Sequence, residues 1–275
     1  MSPLLRPDGG TEGAKWRRWL LQFEGYVRPV TRGHIEMWID QFKIDHKSLA
    51  EKLLDNVCFL SRGHILNCFR DLLGSLDGWD AVNAQRRGQW FFVPFSGSAG
   101  ESGDSMVHTF RMANNMGRKQ FNPLFIYRSE LVSKKLTSDD TVVLIDDFSG
   151  TGKQACDSWR DVFAELLAGG PRVVLLLIAA TNQAIGRIAA ETEMEPVCGS
   201  ILETRTDVFS ESCRQFTDDE KATLLHYCRI ADKKNPRGWG DCGLTFVLAH
   251  RCPNNTIPIL HACNQRWDGL FPRHE

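Results

Sequence analysis

Residues 141–154, Thr-Val-Val-Leu-Ile-Asp-Asp-Phe-Ser-Gly-Thr-Gly-Lys-Gln, constrain this chain more than any other segment. Val142 to Ile145 form an uninterrupted run of apolar β-formers, the pattern of a strand buried on both faces, and such strands belong to parallel sheets covered by helices. Ser149, Gly150, Thr151 and Gly152 then supply a turn in which successive backbone N–H groups can converge at the start of a following helix. That geometry suits a phosphate. Asp146 and Asp147 fall at the carboxyl end of the strand, where ligands bind in open α/β sheets, and adjacent carboxylates suit the vicinal hydroxyls of a ribose. The segment therefore reads as a sugar-phosphate cradle made of Asp146, Asp147, Ser149, Gly150, Thr151, Gly152, Lys153 and Gln154.

Two other readings compete with it. Ser-Gly-Thr-Gly-Lys looks like the end of a nucleotide-binding P-loop, but G-x-x-x-x-G-K-[ST] requires glycine at 147 and a hydroxyl at 154, where this chain has Asp147 and Gln154. Asp147 would also set its charge against a triphosphate. The second alternative is a strand, turn and helix with no ligand.

Strands and helices alternate around this segment. Residues 90–94, 124–127, 141–145, 173–179 and 197–203 read as strands, with helices expected over 105–116, 154–167 and 183–191. Such alternation implies a right-handed, parallel wound sheet. Upstream, Trp16, Trp19, Leu20, Phe23 and then Ile35, Trp38, Ile39, Phe42 recur at helical spacing. Further helical segments are expected at 48–59 and 64–73, with Gly33, Gly63 and Gly74 as stops or turns. Aromatic residues at that spacing fit a core better than a base-stacking surface. Downstream, a helix over 217–231 precedes a strand over 243–250 and a turn at 252–256. The expectation is an α/β chain with a helical N-terminal subdomain (1–80), a wound core (81–210) and a C-terminal, strand-containing extension packing on that core (211–275).

Composition narrows the function classes. The 42% hydrophobic content supports a core, and 33 basic against 34 acidic residues give no electrostatic case for nucleic-acid binding by this chain alone. The first residues hold no apolar stretch of signal-peptide length and no 18-residue apolar run occurs, so a soluble, cytoplasmic protein with no membrane partner is expected. Nine cysteines with no C-x-x-C pair indicate reduced thiols. His250, Cys252, His261 and Cys263 could supply four zinc ligands, against which stands ordinary packing across a strand, turn and strand.

An apolar strand, two acidic residues and a short loop rich in Thr and Gly resemble the signature of the type I phosphoribosyltransferases. Thr151 and Gly152 fall on the family pattern, while Lys153 and Gln154 depart from it, since the family usually has a small residue and then Thr or Ser. The resemblance implies that residues 149–154 hold the 5-phosphate of phosphoribosyl pyrophosphate, that Asp146 and Asp147 face the ribose hydroxyls, and that Mg²⁺ accompanies the pyrophosphate. It implies a pyrophosphate loop after the first core strand, which assigns Ser96, Gly97, Ser98 and Gly100 to that role. Glu101 and Asp104 fit such a loop poorly unless Mg²⁺ lies between them and the pyrophosphate, and a solvated surface loop is the alternative. Arg128, Lys134 and Lys135 are candidates for closing over the leaving group.

Residues 238–247, 250–260 and 267–273, with Trp19-Leu-Leu-Gln-Phe23, are similar to a divergent bacterial group of phosphoribosyltransferase-like proteins associated with antiphage conflict systems, retrons among them. This resemblance implies an effector that binds a ribose-phosphate or nucleotide and works with other proteins of a defence complex, any nucleic-acid component being bound elsewhere. Two functions stay open. One is an enzyme transferring or cleaving a linkage at C1 of the sugar. The other is a catalytically inactive sugar-phosphate- or nucleotide-binding module acting as a sensor or structural component. The acceptor is not encoded in any motif.

Overall fold

The structure, a computed structural model, describes residues 11–96, 103–202 and 206–273. Its first elements are helices α1 (Thr11–Gln22), α2 (Arg32–Asp40) and α3 (Lys47–Asp55), strand β1 (Cys58–Leu60), helix α4 (Arg62–Ser75), strand β2 (Trp90–Pro94) and helix α5 (Gly103–Ala113). Strand β3 (Thr141–Ser149) leads to helix α6 (Lys153–Ser158), a π-helical turn (Trp159–Phe163) and α7 (Ala164–Leu166). Strand β4 (Arg172–Thr181), helix α8 (Asn182–Glu191), strand β5 (Glu195–Leu202), helix α9 (Asp218–Ala231) and strands β6 (Phe246–Leu248), β7 (Cys263–Asn264) and β8 (Trp267–Asp268) follow. These elements form two compact units, Gly63–Glu203 and, from the two ends of the chain, Met1–Arg62 with Thr204–Glu275.

The unit of Gly63–Glu203 is an α/β layer structure whose central sheet has the order β2-β3-β4-β5 with every pairing parallel. Strands β3 and β4 are central, and Val142–Ile145 and Val173–Ala180 are buried on both faces, which is why they read as continuous apolar runs. One face carries Phe91, Val93, Val142, Leu144, Leu175 and Leu177 against Ala155, Trp159, Phe163, Ala184 and Ile188 of the α6–α7 segment and α8. The opposite face is aromatic, with Phe92 4.9 Å from Phe110 of α5 and Phe110 5.5 Å from Phe69 of α4. A buried carboxylate ties the amino ends of the strands: Asp140 accepts from Gln89 N at 2.8 Å and from Thr137 N at 2.9 Å.

The other unit gathers the helical aromatic residues into its core. Trp19, Phe23, Trp38 and Phe42 are buried, and their rings meet residues from the far end of the sequence, Phe23 on Phe271 at 4.9 Å and Phe42 on Tyr227 at 4.5 Å. Their polar edges are satisfied: the indole N–H groups of Trp38 and Trp267 both donate to Ile259 O, at 2.7 and 2.8 Å. Strand β1 pairs in parallel with β6, Phe59 opposite Val247. Helix α9 begins with a capping box in which Thr217 and Glu220 exchange backbone and side-chain bonds.

Several expectations are corrected. Residues 124–127 are not a strand, because short 3-10 helices over Lys119–Leu124 and Arg128–Ser133 crowd them from both sides and only Phe125 bridges to Phe92. The helix expected over 48–59 stops at Asp55, and Cys58–Leu60 becomes β1; a short apolar run cannot be assigned to strand or helix by period alone. Gly33, Gly63 and Gly74 lie inside helices α2 and α4 rather than ending them. The strand expected over 243–250 is reduced to Phe246–Leu248. The compact units divide at 62/63 and 203/204, which groups α4 with the wound sheet and the two chain ends with each other.

Candidate functional site

Strand β3 continues four residues beyond its apolar run, to Ser149, so the two acidic residues sit within the strand rather than after it. Asp146 and Asp147 are 7% and 6% exposed, two of the few buried polar residues among those described. Asp146 pairs in register with Leu177 of β4, and its Oδ1 accepts the backbone N–H of Asp147 at 2.9 Å. Consecutive strand residues project to opposite faces, so the two carboxylates would approach a ligand at the strand end from its two sides rather than as one fork.

The loop that follows is built against the next βα junction. Thr181, the last residue of β4, donates its hydroxyl to Gly150 O at 2.5 Å and accepts from Ala184 N at 3.0 Å as the N-cap of α8. Gly152 takes the left-handed conformation with φ +71° and ends the turn, its carbonyl accepting the first helical bond from Cys156 N at 3.0 Å. A β-carbon at Gly152 would lie 3.0 Å from Ala184 O and 3.2 Å from Arg187 Cβ, so glycine is required both by the dihedral and by the packing on α8. Thr181 was not among the residues expected at the site. Its signal is legible, a Thr between an apolar strand and a helical segment.

The remaining candidates divide. Ser149 and Thr151 are half-buried beside buried Gly150 and Gly152, and the Thr151 hydroxyl accepts from Lys153 N at 3.3 Å. Lys153 and Gln154 are exposed at the start of α6. The Lys153 ammonium is engaged by Asp157 at 2.5 Å, and Asp157 also accepts from Arg160 at 2.8 Å. Those hydrogen bonds, that of Lys153 first, hold the Asp157 carboxyl below the usual carboxylate range. Ser96 follows the carboxyl end of β2, where its Oγ accepts from Gly103 N at 2.8 Å. Gly97, Ser98 and Gly100 lie outside the described residues.

The basic candidates also separate. Phe125 lies beside Phe92 in parallel, so Tyr127 and Arg128 follow toward the carboxyl end of the sheet, where Arg128 stands 6.0 Å from the Phe163 ring and Phe163 stacks on Phe95 at 5.4 Å. Lys134 is drawn to the Phe91 ring at 5.3 Å, near the amino end of β2 and away from the acidic pair.

The sequence profile of the PRTase-CE family matches residues 35–273. The chain belongs to the PRTase-CE family. That family is phosphoribosyltransferase-like, and its match takes in the acidic pair, the loop, the whole unit of Gly63–Glu203 and part of the other unit. No curated protein matches the chain. The crystal structure of TT1426 from Thermus thermophilus is 23% identical over 45% of this chain and 57% of that chain, with a TM-score of 0.22, a superposition too poor to bear on fold or function.

Among the described residues of this PRTase-CE chain, no group of three or more His, Cys, Asp or Glu is placed to hold a metal ion. Asp146 and Asp147 offer hard oxygen donors, a chemistry that suits a Mg²⁺ keeping its waters and bound through phosphate oxygens rather than an all-protein cage. Three of the four residues considered as zinc ligands are engaged otherwise. Cys252 is fully buried, and His261 Nε2 lies 3.0 Å from Thr256 O, to which it donates. Cys263 is exposed with its thiol directed to Asp268. Burial raises the Cys156 thiol pKa, so a reactive thiolate is not provided beside the loop. No helix of the described residues is long and apolar enough to cross a membrane.

Proposed function

We propose that this PRTase-CE chain binds phosphoribosyl pyrophosphate or a related ribose 5-phosphate donor at the carboxyl end of β3 and breaks the linkage at C1 of the sugar. The observation that carries the proposal is the sequence of a buried Asp146-Asp147 pair, a Gly150–Gly152 turn locked onto α8, and a helix start at Lys153. The turn would hold the 5-phosphate through backbone N–H groups. As the C1–O bond breaks, its electron pair leaves with the pyrophosphate and positive charge develops on the ring. The carboxylates of Asp146 and Asp147, engaged with the ribose hydroxyls, favour that charge. Mg²⁺ bound with the donor would neutralise the leaving pyrophosphate. Arg128, which follows Phe125 toward the carboxyl end of the sheet, is the residue we assign to the leaving group. A nucleophile then bonds to C1 and gives up its proton to solvent; with no other acceptor present that nucleophile is water, and the products are ribose 5-phosphate and pyrophosphate.

A second reading is favoured by Lys153 and Gln154. One is engaged by Asp157 and the other offers no hydroxyl to the phosphate, which suits a module that binds the donor without turnover. Phosphorus NMR of the protein with phosphoribosyl pyrophosphate and Mg²⁺ distinguishes them. The enzyme releases pyrophosphate, and Asp146→Asn/Asp147→Asn, with an unchanged thermal transition, does not. A donor that stays bound and intact in the wild type supports the module instead. We also propose that the protein serves as an effector in an antiviral defence complex, on the similarity of its C-terminal segments. The same double variant should then lose protection in a phage plating assay.

A further inference from the structure

The unit of Gly63–Glu203 contains a second concave site remote from Asp146 and Asp147. Helix α5 leaves the carboxyl end of β2 and runs for 11 residues, so its last turn lies about 16 Å away, toward the amino end of the sheet. There it ends in a tight turn: Asn115, at φ +55°, donates to Met112 O at 3.2 Å, and Met116 N donates to Arg111 O at 3.0 Å. The turn opens a cavity of about 780 Å³, within the size range of small-molecule sites, lined by Val82, Arg111, Met112, Asn115, Arg118 and Phe121 among others.

Two properties of this cavity belong together. Its wall exposes large apolar side chains, Met112 at 59% and Val82 at 55%. Arg111 and Arg118 line it, and Arg70 and Arg86 stand nearby, the last of them within the field of the Asp80 carboxylate. Arg111 is held by neutral partners, Met116 O, Asn122 Oδ1 and the Phe125 ring. Arg70 donates to Ala113 O and Asn67 Oδ1, and Arg86 to the carbonyls of Asp80 and Ala81. Arg118 is exposed. None of the four forms a salt bridge with a described carboxylate. A ligand that covers Met112 and Val82 while meeting guanidinium charge is an anion with an apolar body, and a nucleobase on a phosphate supplies both. Asn115 and Gln120, which also line the cavity, add amides suited to the polar edge of such a ring.

We propose that this cavity is a mononucleotide-binding site, the base lying against Met112 and Val82 and the phosphate meeting Arg118 and Arg111. It is separate from the acidic pair, so its fate does not depend on that of the cradle. Calorimetric titration of the full chain with AMP tests it, beside adenosine, inorganic phosphate, Arg118→Glu and Asp146→Asn/Asp147→Asn. We expect saturable AMP binding that persists in the Asp146→Asn/Asp147→Asn protein, where the cradle no longer takes the ribose 5-phosphate of AMP, with a loss of about tenfold or more when Arg118→Glu is added to that protein and a similar deficit for adenosine or phosphate alone. Absence of AMP binding at millimolar concentration, or an affinity indifferent to Arg118→Glu, overturns the proposal. So does an affinity abolished by the paired aspartate substitution with the fold intact, which would place AMP in the cradle.

Discussion

Gly152 concentrates the geometry of the loop on one α-carbon. Its dihedral favours glycine, and an added methyl group would press on the backbone of Ala184. Gly152→Ala should therefore lower unfolding stability by about 1–3 kcal/mol in denaturant melts, and should loosen the loop before it unfolds the sheet. That requirement was visible in the sequence, because Ser-Gly-Thr-Gly before a helix announces a turn. The contact with α8 was not, because nothing local to 149–154 names Ala184 or Arg187 as neighbours. His261 offers a different residue-scale test. Burial, and then the charge of Arg273, push its pKa down from 6.5 to about 4. The unfolded chain therefore takes up a proton that the folded chain refuses, and stability should fall as pH drops from about 6.5 to about 4, by up to about 3 kcal/mol. Above and below that window this residue contributes no slope. His261→Gln should flatten the corresponding part of a stability–pH curve, and an unchanged curve would remove His261 as its source.

Among elements, the packing of α4 on β5 is decided by a missing side chain. A β-carbon at Gly199 of β5 would lie 2.1 Å from the Cys68 thiol of α4 and 3.2 Å from Ile178 O. Gly199→Ala should cost about 1–3 kcal/mol in thermal or urea unfolding. Combined with Cys68→Ala it should cost less than the sum of the two single changes, since the second removes the obstructing sulfur. Additive losses would mean that the helix and strand do not meet there. The strands at 90–94, 141–145 and 173–179 were legible because their apolar runs exceed what an exposed segment tolerates, whereas β5, half-exposed with Ile201 on its open side, was legible only from its place after a helix. Residues 124–127 misled because Leu124, Phe125 and Ile126 are apolar for a different reason, each packing from an irregular segment beside β2. The Asp146-Asp147 pair was legible as a pair, but its placement inside a longer β3 was not, since acidic residues ordinarily mark a strand's end.

At the scale of the whole molecule, the wound α/β sheet follows from the alternation of strands and helices, whereas the union of the two chain ends in one unit does not. Trp19, Phe23 and Phe42 carry a helical period that announces a buried face. Their partners Tyr227, Trp267 and Phe271 lie at the far end of the sequence, and no local pattern connects them. The same limit applies to the second cavity, where Arg111, Arg118 and Val82 come from separate segments and none of them forms a motif. The central claim concerns the cradle, and its most direct test is calorimetric titration of the protein with phosphoribosyl pyrophosphate and Mg²⁺. The account predicts saturable binding that is lost in a folded Asp146→Asn/Asp147→Asn variant. Failure to bind, or binding that survives the paired substitution unchanged, would contradict it.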